Sequence, residues 1–238
     1  MRLTALFALL CLSPLAMGQA GGKFSFRTLC FSYVNQVTKV YLTDPKAGTR
    51  SEVPLFTDVY SLPAAGSATN GKATFFLTDE VPEKGKTVPS LAPVAVPDSS
   101  QVLFVFLPNP GQKDKPYRVM GMADDTSSFP LGTVKLLNLT PAELRFDMGE
   151  RAGAQGVKVG PGKTVIVDKV KKVNHLNHYD AKILYQLKPG EFTPFYNSRW
   201  RAVDAKRDLV IVYLDPVSKQ PVVNVYEDTP LPDKPATP

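Results

Sequence analysis

LVIVYLDPVSKQPVVNVYED, residues 209–228, decides how the chain is read. From Leu209 to Leu214 every side chain is apolar, with Leu209, Ile211 and Tyr213 on one pleat face and Val210, Val212 and Leu214 on the other. A short run rich in β-branched residues and closed by turn formers is a strand covered on both sides. Beyond a turn bounded by Pro216 and Pro221, the second arm sets Val223 and Val225 against Val222, Asn224 and Tyr226. A buried helix would need a run of about ten residues or more, free of proline. The stretch is predicted to be a β-hairpin.

The same grammar occurs earlier. Residues 102–126, VLFVFLPNPGQKDKPYRVMGMADDT, again give six apolar positions, a proline-bounded turn with lysine, a second arm and Asp-Thr. Val102 laid on Leu209 is offset by 107, Thr126 on Thr229 by 103, and Asn35 on Asn138 by 103. Matches in one order at nearly one offset read as an internal duplication. Between them, 22 prolines and 16 glycines punctuate the chain, and no long stretch keeps a helical apolar period. Strands are predicted at 24–33, 38–42, 55–62, 73–77, 102–107, 117–122, 133–139, 143–148, 157–159, 164–167, 181–187 and 195–202, besides the hairpin. Residues 79–98, with Pro82, Pro89, Pro93 and Pro97, read as a loop. The expected fold is all-β: an immunoglobulin-like β-sandwich, as two tandem related sandwiches over 21–128 and 129–228. The tail, 229–238, has proline at four of its ten positions, which cannot supply ladder donors.

The chain opens MRLTALFALLCLSPLAMGQAGG, with Arg2, an apolar run from Leu3 to Leu12, and Gly18-Gln19-Ala20 as a small-residue cleavage site. That is the pattern of a secretory signal peptide, cleaved near Ala20. Cys11 lacks the small residues of a lipoprotein site, so a periplasmic or secreted, cell-surface protein is expected. Cleavage of 20 of the 238 residues leaves 218, with Cys30 as the remaining thiol, read as a buried structural group. Loss of Arg2 lowers the formal charge from +6 to +5. The cations are scattered apart from 169–172 and 199–201. That favours anionic surfaces, glycans or acidic partners over nucleic acid, which needs a dense basic stripe.

No nucleophile elbow, phosphate-cradling loop or zinc-helix signature is present, so no catalytic residue and no cofactor are assigned. His175, His178 and Asp180 fall short of a metal set. The pairs Asp79-Glu80, Asp124-Asp125 and Glu227-Asp228 read as solvated turn residues. Asn138-Leu139-Thr140 fits the glycosylation triplet, with Pro141 after it. The candidate binding residues are Tyr196, Arg199, Trp200 and Arg201, within EFTPFYNSRWRA at 191–202. Aromatic faces beside guanidinium groups hold sugar rings or acidic ligands. Alternatively, Trp200 fills the core while its neighbours Arg199 and Arg201 point outward.

The succession KLLNLTPAELRFDMG, VKVGPGKTVIVD, FTPFYNSRW and RDLVIVYLD resembles exported β-sandwich proteins of verrucomicrobial bacteria. The resemblance implies an immunoglobulin-like fold and, for some members, pilus-type surface machinery. The chain is also similar to periplasmic pilus chaperones in length, charge and two-domain plan. There residues 102–107 would stand for the alternating strand that meets a subunit, although the preceding proline-rich motif is missing. The expected function is therefore a non-enzymatic structural or interaction protein of a pilus or other surface assembly. It would work by strand addition to protein partners or by self-association. A glycan-binding module and a periplasmic chaperone are the alternatives.

Overall fold

Runs that are apolar on both pleat faces find cover on both faces because the chain stacks its sheets in layers. The computed structural model describes residues 22–44, 48–81, 88–109, 111–215 and 218–230. The signal peptide read at 1–20, Pro82, Pro216 and tail residues 231–238 lie outside the described residues.

One inner sheet has the order β4 (Ala64–Ser67), β1 (Lys23–Cys30), β8 (Gln101–Pro108), β9 (Tyr117–Ala123). The other has the order β13 (Thr164–Val167), β10 (Val134–Leu139), β16 (Arg207–Leu214), β17 (Pro221–Asp228). Outside the first lie β3 (Arg50–Pro54), β2 (Lys39–Thr43) and β6 (Phe75–Phe76), with the pair β5 (Lys72–Ala73) and β7 (Val94–Ala95). Outside the second lie β12 (Val157–Val159), β11 (Leu144–Met148), β14 (His178–Lys188) and β15 (Glu191–Arg201). Among the described residues the one helical element is a single 3-10 turn, Gly153–Gln155. The fold is all-β.

Side-chain alternation assigns each inner strand to two cores. On β8, Val102, Phe104 and Phe106 enter the first sandwich, while Leu103, Val105 and Leu107 face the other way. On β16, Val210 and Val212 enter the second sandwich, and Leu209 and Ile211 meet the β8 set, Leu29 and Leu137 between the inner sheets. At roughly 1.5–3 kcal/mol for each large apolar side chain buried, this third core is a major share of the stability. It explains why neither β8 nor β16 has a polar face.

Each half carries the same three-strand unit: a first strand parallel to the penultimate one, which turns back in a hairpin. The pairing register sharpens the correspondence. Arg27 lies opposite Leu103, and Lys135 opposite Leu209, and both leucines face the middle core. Leu103 therefore occupies the place of Leu209; laying Val102 there would reverse every side chain. Asn35 has no counterpart at Asn138. It forms a tight turn with Gln36, both at positive φ, closed by Val37 N–H to Val34 carbonyl at 3.0 Å, which carries the chain from inner to outer sheet.

Several local expectations are corrected. Residues 55–62 form no regular strand but bond β1 irregularly, Cys30 N–H to the Phe56 carbonyl and Ser61 N–H to the Thr28 carbonyl. Residues 88–98 do more than loop: Leu91 and Val94 enter the first core. The Ala95 carbonyl comes so close to β9 that Gly121 has no room for a Cβ. Asn138 is fully buried, donating to the Ala142 and Val159 carbonyls and accepting from Thr140, so the glycosylation triplet is a structural clamp. No described helix is long and apolar enough to cross a membrane.

Candidate interaction site

The edges of the four main layers differ in how they are protected. Edge strands invite pairing with other chains unless they are short, bulged, charged or covered. β3, β4, β12 and β13 have five residues or fewer. β15 is long but carries Pro194, Arg199, Arg201 and two register shifts against β14. β9 is approached by β7. β17 is the least protected: its charges, Glu227 and Asp228, stand only at its C-terminal end, and its eight residues, PVVNVYED, pair with β16 in continuous register from Arg207↔Asp228 to Leu214↔Pro221. It contains no lysine or bulge, its proline is the first residue, and its outer edge has no strand partner among the described residues.

Beside the C-terminal end of β17 is a groove of 530 Å³, lined by Glu227–Pro230 on one side and Val59–Pro63 on the other. Its rim exposes Val59 and Leu62, the latter 81 % accessible. Arg27, Asp124 and Asp228 at its floor belong to a ring of four charges that Arg207 completes beneath it. Arg27 of β1 donates Nη1 and Nη2 to the two Asp228 oxygens at 2.8 Å each, and Nε to Asp124 at 2.8 Å. Arg207 of β16 closes the ring through Nε to Asp228 at 2.8 Å and Nη2 to Asp124 at 2.7 Å. Its Nη1 also reaches the Phe129 carbonyl at 2.7 Å. The four formal charges cancel, and the ring joins both hairpin ends across the sandwiches.

Burial pushes Asp124 up, with Arg27 and Arg207 drawing it back. Burial acts the same way on Asp228, but hydrogen bonds from Arg27 and the two guanidinium charges outweigh it and hold that carboxyl low. Tyr60 lies under Arg27, 4.5 Å from guanidinium carbon to ring centroid, and its buried hydroxyl lacks a hydrogen-bond partner. Reading Asp124 and Asp228 as solvated turn residues is therefore corrected. Asp124 follows β9 and Asp228 ends β17, and for each the facing sheet supplies an arginine. A lone Asp-Thr dipeptide carries no sign of that. The recurrence of the hairpin ending was the one available signal.

The residues proposed from sequence are placed on opposite sides of one strand. Trp200 is 8 % accessible in the second core, edge-on to Tyr179 at 6.2 Å. Tyr196 packs against the same core, and its hydroxyl accepts the Trp200 Nε1 hydrogen at 3.4 Å. Arg199 and Arg201 are exposed on the outer face, Arg199 beside Asp180 at 3.6 Å. Strand alternation thus separates the aromatic pair from the arginines, and the four make no joint sugar platform. His175 sits in the turn before β14 and His178 begins the strand. Among the described residues no group of three or more His, Cys, Asp or Glu side chains is placed to hold a metal ion. Residues 102–107, compared above with a chaperone strand, lie between β1 and β9, where no partner strand has access.

No family model matches the chain, and no curated protein matches it in sequence.

Proposed function

We propose that this chain is a non-enzymatic interaction protein that receives an extended segment of a protein partner along β17. The carrying observation is the eight-residue, in-register edge of β17, which no further strand covers among the described residues. Main-chain hydrogen bonds along such an edge supply affinity, and pockets for alternate side chains supply specificity. The groove with exposed Val59 and Leu62 at the end of that edge supports the reading, since it offers an apolar seat where an added strand would finish.

The leader-like residues 1–20 and the resemblance to exported sandwich proteins support placement in the periplasm or at the cell surface, in a pilus-type or other assembly. The unit shared by the two halves supports two related immunoglobulin-like sandwiches. The test is a photo-reactive amino acid at Asn224 of the full chain in its native cells. A discrete cross-linked species is expected from Asn224 and not from Arg118 on β9. Adducts at neither position, or equal yield at both, would overturn the assignment to β17.

A further inference from the structure

The outer face of the β12–β11–β14–β15 sheet carries charge that the fold does not use. Inward positions of these strands, among them Phe146, Ile183 and Trp200, fill the second core. Outward positions therefore form a grid whose neighbours the register gives: His178↔Arg201, Asp180↔Arg199, Asp147↔Lys182 and Arg145↔Lys158. Over the middle of this grid lies a cleft of 490 Å³, within the usual span for small-ligand sites. One wall is the 172–174 segment, held in place from both ends. The Glu150 carboxylate accepts the N–H groups of Lys171 and Lys172 at 2.9–3.1 Å. The Asn174 side-chain oxygen accepts those of Leu176 and His178 at 2.9 Å.

The cleft's charges are unevenly committed. Both oxygens of Asp147 take Arg145, at 2.9 and 3.1 Å, so the facing Lys182 has no ion pair among the described residues. Lys172 likewise has no ion pair among the described residues; its backbone N–H, not its ammonium, is what Glu150 holds. Arg199 and Asp180 stand 3.6 Å apart and are 67 % and 77 % accessible, a loose contact of little energy. The site thus offers two free ammonium groups, a loosely held guanidinium, one available carboxylate and the Asn174 amide.

We infer that this cleft binds an acidic sugar, its carboxylate or sulfate taken by Lys172 and Lys182 and its hydroxyls by Asp180 and Asn174. The cations match the anionic group, and an acceptor-only carboxylate in the same cleft suits hydroxyl donors. The aromatic of this face, Phe192, is already packed beside Arg145 and Lys158 at 4.9 and 5.4 Å and is not free to stack bases. The site shares Arg199 with the four residues read from sequence as a sugar platform, Tyr196, Arg199, Trp200 and Arg201, but uses neither aromatic, and it is independent of the β17 edge.

The test is calorimetric titration of the full chain at low salt with tetragalacturonate, the neutral cellotetraose, inorganic phosphate and a short single-stranded DNA. Tetragalacturonate is expected to bind, and Lys172→Gln/Lys182→Gln to weaken it about tenfold or more. Both lysines are exposed, so the double variant is expected to keep its melting temperature, which checks folding. Asp180→Asn is expected to weaken the sugar while leaving any phosphate binding equal or stronger. Failure of tetragalacturonate to bind, equal binding of cellotetraose or DNA, or affinity unchanged in the lysine variant would each overturn the inference.

Discussion

Arg27 and Asp228 lie 201 positions apart and meet through two parallel hydrogen bonds of 2.8 Å. The first described strand is thereby fastened to the last described one. With Asp124 and Arg207 they form a ring in which Arg207 has no accessible side-chain surface. Removing one member of a buried pair leaves its partner uncompensated, at a cost of about 3–5 kcal/mol.

Asp228→Asn is therefore expected to lower the urea midpoint by an amount matching about 3–5 kcal/mol. The exposed Lys39–Glu52 pair at 2.7 Å is the control, where Glu52→Gln should cost about 1 kcal/mol or less. Because Asp228 is held low in the fold, its stabilising share is present above the ordinary carboxylate range and lost as pH falls through the folded value. The deficit of the variant should shrink in acid. A deficit constant with pH would contradict the ring's role.

Asp208 has the opposite sign. Burial, set against nearby Lys206 and reinforced by Glu227, pushes its carboxyl up to about 6. Lys206 stands 3.4 Å from one oxygen, yet that oxygen has no hydrogen bond. An acid raised in the fold costs stability once pH exceeds its unfolded value, and the cost is full above the folded one. Wild type should gain on Asp208→Asn as pH falls from 7 to 4, read as converging or crossing melting temperatures. A gap that widens in acid would refute the assignment.

Trp200 should emit in the blue range of a buried indole and be insensitive to added oligosaccharide. Its truncation to Ala is expected to cost about 3–5 kcal/mol, the range for large aromatic cavities. Arg199→Ala and Arg201→Ala, on the opposite face, should leave stability within about 0.5 kcal/mol.

Cys30 is fully buried, and its thiol is raised to about 11 by burial, against partial relief from hydrogen bonds with Tyr117 and Ser32. It should resist thiol reagents in the native protein and react once unfolded. Rapid modification of the folded chain would show an opening of the first core.

Much of the fold was legible because apolar runs and turn residues leave a local trace. Strands 157–159 and 164–167 were placed to the residue, and β8, β16 and β17 closely. β4, with Ala-Ala-Gly-Ser, and β3, with Arg-Ser-Glu-Val-Pro, have no apolar alternation to read; neighbouring strands make them strands. The double-sided apolarity of β8 and β16 implied cover on both faces, but not that each covers the other. The candidate site was less legible for the same reason. Trp200 and Arg199 are adjacent in sequence and opposite in space, whereas Arg27 and Asp228 are the reverse. An edge strand such as β17 has the composition of an interior one, and only topology exposes it.

The most direct test of partner binding at β17 is amide hydrogen exchange on the full chain, alone and in complex recovered from its native cell envelope. In the isolated chain, outward amides of residues 222–228 are expected to exchange fast while those of Arg207–Leu214 stay protected. In the complex, β17 should gain protection along its length, with β15 and β9 unchanged. Slow exchange of β17 in the isolated chain, or protection in the complex that appears at other edges and not at β17, would contradict strand addition there.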